Sequence, residues 1–158
     1  MDECAKNHSH GKLKVRLLLD KNGDMLIEAQ PITQPAEPLM VTLADQPVDN
    51  SNPFLYHKTT NRDIYAQFQQ KFTHVYDVLL WNQNGEITEF TNGNLVLEKD
   101  GQLWTPPIDS GLLAGTYREM LLATGKIHEK VLTIEDVKTS HKVWFINSIR
   151  EWVEVQLV

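Results

Sequence analysis

Phe54-Leu-Tyr-His-Lys-Thr-Thr-Asn-Arg62 is a short apolar run closed by a lysine, two threonines, an asparagine and an arginine. Just beyond it, Ile64, Phe68 and Phe72 recur at the period of one helix face. That spacing predicts an amphipathic helix over residues 63–72, with Thr59, Thr60 or Asn61 placed to cap its free N–H groups. Lys58 therefore stands just ahead of a helix, where the fold can hold it. Taken alone, a lysine is most often a solvated surface charge; the downstream order of motifs gives this one weight.

Outward from this stretch, the upstream chain reads as two pieces. Residues 1–11 are polar and read as an unstructured tail, so His8 and His10 are taken as part of that tail rather than as a metal pair. Residues 12–19 and 24–29 are strands joined by the Asp20-Lys-Asn-Gly23 turn, a β-hairpin. Pro31, Pro35, Pro38 and Pro47 then punctuate an extended segment, and Leu39-Met-Val-Thr-Leu43 within it reads as an edge strand or connector. The Asp49-Asn-Ser-Asn-Pro53 loop sets the expected boundary, with residues 1–53 before it and a main domain, 54–158, after it.

Downstream the elements are short and alternate. Strands are expected at 75–81, 86–90, 95–98 and 103–104, with a strong turn at Asn82-Gln-Asn-Gly85. Gly111-Leu-Leu-Ala-Gly115 opens a helix to about Thr124. A strand at 131–132, a helix at 134–139 capped by Thr133, and closing strands at 142–146 and 152–158 complete the chain. Strands dominate and hairpins outnumber crossovers, so the class is α+β.

Composition bounds the chemistry. Hydrophobic residues at 41% and charged residues at 23% of 158 fit a soluble globular domain able to bury a core. A net charge of −6 without a basic block argues against nucleic acid as a partner. The single Cys4 excludes an intramolecular disulfide framework and a cysteine-rich zinc site. No apolar run approaches the roughly 20 residues of a membrane span. The amino-terminal residues lack the apolar core of a signal peptide, so the cytoplasm is the expected compartment.

Four features then stand in order: Lys58 before a helix; Gly85 to Leu95, with Glu89 in a strand and Asn94 after a glycine; Gly111-Leu-Leu-Ala-Gly-Thr-Tyr-Arg118, a glycine-bearing loop entering a helix; and Phe145-Ile-Asn-Ser-Ile-Arg150. A desolvated lysine can form a Schiff base with an aldehyde. A carboxylate in a sheet can keep a heteroaromatic ring nitrogen protonated. A glycine loop at a helix N-terminus offers N–H groups to a phosphate, and Ser148 can complete that cup. The plain alternatives are an exposed Glu89 facing Lys99, an ordinary helix cap at Gly115-Thr116, and a turn at Asn147-Ser148. Lysine, pyridinium partner and phosphate cup together are what pyridoxal phosphate (PLP) needs from a protein.

The order resembles the fold-type IV PLP-dependent enzymes, which include branched-chain and D-amino acid aminotransferases and 4-amino-4-deoxychorismate lyase. It is nearest to the lyase-like C-terminal part of fused aminodeoxychorismate synthase/lyase proteins. The resemblance rests on His57 to Arg62, on Asp77 to Asn82 leading into Gly85 to Leu95, on Trp104-Thr-Pro-Pro107 with Gly111 to Arg118, and on Asn147 to Arg150. It implies a D-amino acid aminotransferase-like fold, with a large cofactor-binding domain and a truncated small domain. It implies Lys58 as the Schiff-base lysine and proton carrier and Glu89 as the partner of the pyridine nitrogen. Gly115, Thr116, Tyr117 and Ser148 would bind the phosphate, and Arg62 would lie near the cofactor's phenolic oxygen. The implied reaction releases pyruvate from aminodeoxychorismate and leaves 4-aminobenzoate for folate synthesis; the alternatives are amino-acid transamination or a non-catalytic interaction module. The implied partners are a small-molecule substrate and either a second copy or another chain that supplies the rest of the small domain. Tyr117 stands where some relatives carry threonine, and Glu151 where fused lyases usually carry glycine.

Overall fold

The computed structural model describes residues 11–32 and 38–158, and the chain divides into two units, Met1–Pro35 and Ala36–Val158. The tail bearing His8 and His10, and Pro35, lie outside the described residues. In the first unit, β1 (Leu13–Leu19) pairs antiparallel with β2 (Met25–Pro31), Leu17 opposite Ile27 and Leu19 opposite Met25. The Asp20 carboxylate closes the turn by accepting from the N–H groups of Asn22 at 2.8 Å and Asp24 at 2.9 Å. Arg16 pairs across the hairpin with Glu28 at 3.2 Å.

In the second unit the strands are β3 (Leu39–Leu43), β4 (Asp77–Trp81), β5 (Ile87–Phe90), β6 (Asn94–Lys99), β7 (Gln102–Thr105), β8 (His128–Glu129), β9 (Lys142–Asn147) and β10 (Glu151–Leu157). They form one mixed sheet in the order β5-β4-β3-β10-β9-β6-β7-β8. Three helices, α1 (Asp63–Lys71), α2 (Thr116–Ala123) and α3 (Ile134–Thr139), pack on it. The α+β expectation agrees with this arrangement.

The sheet curls. β5 lies at one end of the strand order, yet a tight turn returns it to β6, with the Phe90 N–H donating to the Gly93 carbonyl at 2.9 Å. A Cβ on Gly93 would sit 2.6 Å from the Phe145 ring and 2.7 Å from the Ile146 carbonyl, so only glycine lets the turn close there. Inside the curl Leu79, Ile87, Phe90, Leu95, Leu97 and Phe145 form the main core. Outside it, Tyr65 and Phe68 of α1 pack on Val78 and Leu80, and Leu121 of α2 packs on Val96 and Ile146. Val78-Leu-Leu80 is apolar at every position because β4 is covered on both faces.

Three expectations change. Leu39–Leu43 is no edge: β3 runs parallel to both neighbours, between β10 and β4. Pro38 and Pro47 lie outside its hydrogen-bonded register, so they do not disturb the ladder. Because β3 belongs to the large sheet, the division falls between residues 35 and 36, ahead of the 49–53 loop where the sequence placed it. The short strand expected at 131–132 is instead β8, pairing parallel with β7 through Trp104 and His128. Leu132 goes into the core and uses its carbonyl to accept from the Ile87 N–H at 2.7 Å.

Candidate active site

Glu89 is the centre of the site. It sits in β5 with 4% of its surface exposed, in a strand that is buried at every position. The exposed-carboxylate alternative fails: Lys99 pairs with Asp136 of α3 at 2.5 Å. The Tyr65 hydroxyl, from α1, donates to Glu89 Oε1 at 2.8 Å, and the Asn94 amide, from β6, lies 3.5 Å from Oε2. Burial pushes the Glu89 carboxyl up to about 8, against the opposing pull of Tyr65, the Leu113 backbone N–H and the charges of Lys58 and Arg62. A carboxylate so desolvated gains most from a cation with an N–H to give.

Lys58 lies in the exposed stretch before α1, and its charge acts on Glu89. The threonines do not cap the helix. Arg62 is the N-cap residue without a side-chain cap bond, and the Asn61 amide oxygen only approaches the Asp63 N–H, at 3.4 Å. Arg62 is instead a clamp. Its guanidinium donates to the Thr91 carbonyl at 2.5 Å and to Asn92 Oδ1 at 3.3 Å, and stacks on the Tyr65 ring at 4.5 Å. Asp77 secures the other side of that turn, accepting from Thr91 Oγ1 at 2.6 Å and from the Asn92 amide at 3.1 Å. The lysine stretch is thus tied to the strand that carries Glu89.

Gly115 is the N-cap of α2 and offers no side chain, so the first N–H groups of this helix lack a side-chain cap. Beside them the hydroxyls of Thr116 and Ser148 meet at 2.7 Å. Helix α3 is built the other way, with Thr133 and Asp136 closing a full capping box. Uncapped N–H groups beside two hydroxyls are an arrangement that can receive an anion. The Tyr117 side chain does not join it: the ring packs with the α2 cluster and its hydroxyl meets the Trp152 indole. Only the Tyr117 backbone remains at the start of the helix.

The two halves are joined by Asn94. Its amide donates to the Leu113 carbonyl at 2.9 Å, and its Oδ1 lies so close to Gly115 that a Cβ there would collide with it. Asn94 thus links Glu89 to the start of α2, where Thr116 meets Ser148, while Arg62 ties the stretch after Lys58 to the turn after Glu89. Tyr65 carries no mark in the sequence because it fits its helix face as ordinary filling, and Asn94 is marked there only as the residue after a glycine. A surface cleft along Val137, His141, Glu154 and Leu157 shares none of these groups.

The amino-transferase class IV family matches residues 1–158. The chain belongs to that family. A Schizosaccharomyces pombe protein named as a candidate aminodeoxychorismate lyase is 36% identical over 87% of this chain, and the chain spans 64% of that protein's length. A Mesorhizobium loti structure named as a candidate amino-acid aminotransferase superposes with a TM-score of 0.87 at 35% identity, covering 92% of this chain and 73% of its own. A Mycobacterium tuberculosis protein named as a hypothetical aminotransferase, solved with α-ketoglutarate and PMP bound, shares the fold with a TM-score of 0.70 at 20% identity over 83% of this chain and 53% of its own. The fold is thus the fold-type IV aminotransferase-like one, a curled mixed sheet with helices packed on it.

Proposed function

We propose that this chain carries the cofactor-binding part of a PLP-dependent lyase of the 4-amino-4-deoxychorismate type, releasing pyruvate and leaving 4-aminobenzoate for folate synthesis. The observation that carries the reading is the buried Glu89, whose side-chain donors Tyr65 and Asn94 are neutral, held beside an uncapped helix start. This donor set suits a ring that is cationic at one end and phosphorylated at the other. The 36% identical S. pombe relative supports the lyase assignment over transamination.

When bound, PLP would supply an electron sink for the substrate carbon that bears the amine, next to the carbon from which pyruvate departs. Lys58 would be the amine that holds the cofactor and would move the proton at that amine-bearing carbon. Glu89 keeps the ring nitrogen protonated. Gly115, Thr116 and Ser148, with the first N–H groups of α2, receive the phosphate. Arg62 acts as the clamp that keeps the Lys58 stretch against Glu89. The substrate is a small molecule, the compartment the cytoplasm, and the assembly a homodimer or a pairing with a chain that supplies the rest of the small domain. The 35% identical aminotransferase structure favours amino-acid transamination as the second reading.

The test adds PLP to the purified chain, reduces with borohydride and maps adducts by peptide mass spectrometry. A pyridoxyl adduct at Lys58, lost in Lys58→Ala, is expected. Labelling scattered over surface lysines, or none, refutes the cofactor assignment and leaves an interaction module. Pyruvate released from aminodeoxychorismate, as against an amino-group transfer product, then separates lyase from transaminase.

A further inference from the structure

Tyr65 is buried, with 5% of its surface exposed, among Leu55, Phe68, Val78 and Leu80. None of these needs a hydroxyl, and phenylalanine would fill the same space. The hydroxyl instead reaches out of the apolar cluster to Glu89 Oε1 at 2.8 Å. Its ring is fixed under Arg62 at 4.5 Å, and Arg62 is anchored on Thr91 and Asn92. The hydroxyl is therefore aimed by two elements, α1 and the turn between β5 and β6.

The side-chain donors hold the two Glu89 oxygens unequally. Oε1 takes a full hydrogen bond from Tyr65, while the Asn94 amide stands 3.5 Å from Oε2 and spends its better bond, at 2.9 Å, on the Leu113 carbonyl; the Leu113 N–H gives the carboxyl a further backbone bond. A hydroxyl fixes one oxygen without neutralising the carboxylate, which an ammonium at the same place would do. The charge is then left for a ligand. We propose that Tyr65 is a positioning residue whose hydroxyl sets the Glu89 carboxylate so that Oε2 is presented to the ring N–H of a cationic heteroaromatic cofactor. This rests on the cofactor reading given above. The groups that act on Glu89 are the Tyr65 hydroxyl from α1, the Asn94 amide from β6, the Leu113 N–H from the loop before α2, and the charges of Lys58 and Arg62.

The experiment uses the full chain as wild type, Tyr65→Phe, Glu89→Gln and the double variant. Without cofactor, the Glu89 carboxyl carbon is titrated by NMR; Tyr65→Phe should move its midpoint upward by about one pH unit or more. In the wild type the Tyr65 Cζ resonance should follow the Glu89 midpoint, a reading that needs no variant. PLP is then titrated by absorbance. Tyr65→Phe should weaken PLP binding about tenfold in the native background and add nothing in the Glu89→Gln background. An unmoved Glu89 midpoint overturns the proposal, as does an equal loss of PLP affinity in both backgrounds, which would mark Tyr65 as merely structural. Absence of PLP uptake by the wild type overturns the cofactor reading, while the carboxyl titration still decides whether Tyr65 governs Glu89.

Discussion

Replacing Glu89 with glutamine should make the cofactor-free protein more stable, and increasingly so as pH rises. The folded carboxyl is pushed by burial from an ordinary 4.5 up to about 8. Between those values the folded chain keeps a proton that the unfolded chain has released. Stability is therefore fully present below the unfolded value and falls as pH rises through the folded one. At about 1.4 kcal/mol per pKa unit, the wild type loses roughly 3 kcal/mol by pH 7 and on the order of 4–5 kcal/mol above pH 8. That is a large part of a total stability of about 5–15 kcal/mol. Glutamine stays neutral and keeps an oxygen for the Tyr65 hydroxyl. Near pH 5 the two proteins should agree within about 1 kcal/mol, and near pH 8.5 the variant should lead by roughly 3 kcal/mol or more. Buried Asp77, whose carboxyl burial also raises, contributes its own slope, but equally to both proteins. The assay is urea unfolding followed by tryptophan fluorescence across the pH series, without PLP. Added PLP should then reverse the order, because only the wild type gains from binding through this carboxylate. Parallel stability–pH curves would refute the reasoning, since they would mean Glu89 is not the buried titrating group.

Three further outcomes can be checked at the bench. Gly115→Ala drives a methyl into Asn94 Oδ1, which is held by Leu113, and should cost about 1–3 kcal/mol in thermal unfolding and at least tenfold in PLP affinity. Glu151 sits at φ 58°, a left-handed backbone that glycine adopts freely, so Glu151→Gly should raise stability by about 1 kcal/mol in denaturant melts without moving PLP affinity much. Asp136→Ala removes the acceptor of the Thr133 N–H and the partner of Lys99, a loss of about 1–2 kcal/mol. Lys99 and the Thr133 cap hold the Asp136 carboxyl down to about 2, so the wild-type advantage should be present above about pH 4 and fade as pH falls towards 2.

The local elements were legible in the sequence because their signals are local. The Asn82–Gly85 turn, the Asp20 hairpin and the Thr133 cap each satisfy their own backbone within a few residues. What was not legible depends on pairing over long distances. Leu39–Leu43 looks peripheral among its prolines, and only its pairing with Val155 to Leu157 on one side and Asp77 to Leu79 on the other makes it central. The site divides the same way. Lys58, Glu89 and the Gly115 loop carry side-chain types and spacings that chemistry marks. Tyr65 reads as one more aromatic on a helix face, and its role lies entirely in where its hydroxyl ends, 24 positions from its partner in sequence.

Two features of the site forgo stability that the same fold takes elsewhere. Helix α3 is capped on both sides of its box, while α2 begins at a bare glycine with hydroxyls set beside its N–H groups. Lys99 and Asp136 pair as opposite charges near the surface, while Glu89 is buried against a neutral hydroxyl and amide. Either feature alone is common enough in folded proteins. Asn94 connects them: its amide approaches the Glu89 carboxyl and its oxygen stands against the glycine N-cap, so one side chain sets the spacing between Glu89 and the first N–H groups of α2. Burial disfavours the charged form of Glu89 and the N–H groups of α2 have no side-chain cap, and a ligand with a cationic N–H at one end and an anion at the other gains from both at once. This is the ground on which the proposed cofactor site around Glu89 rests.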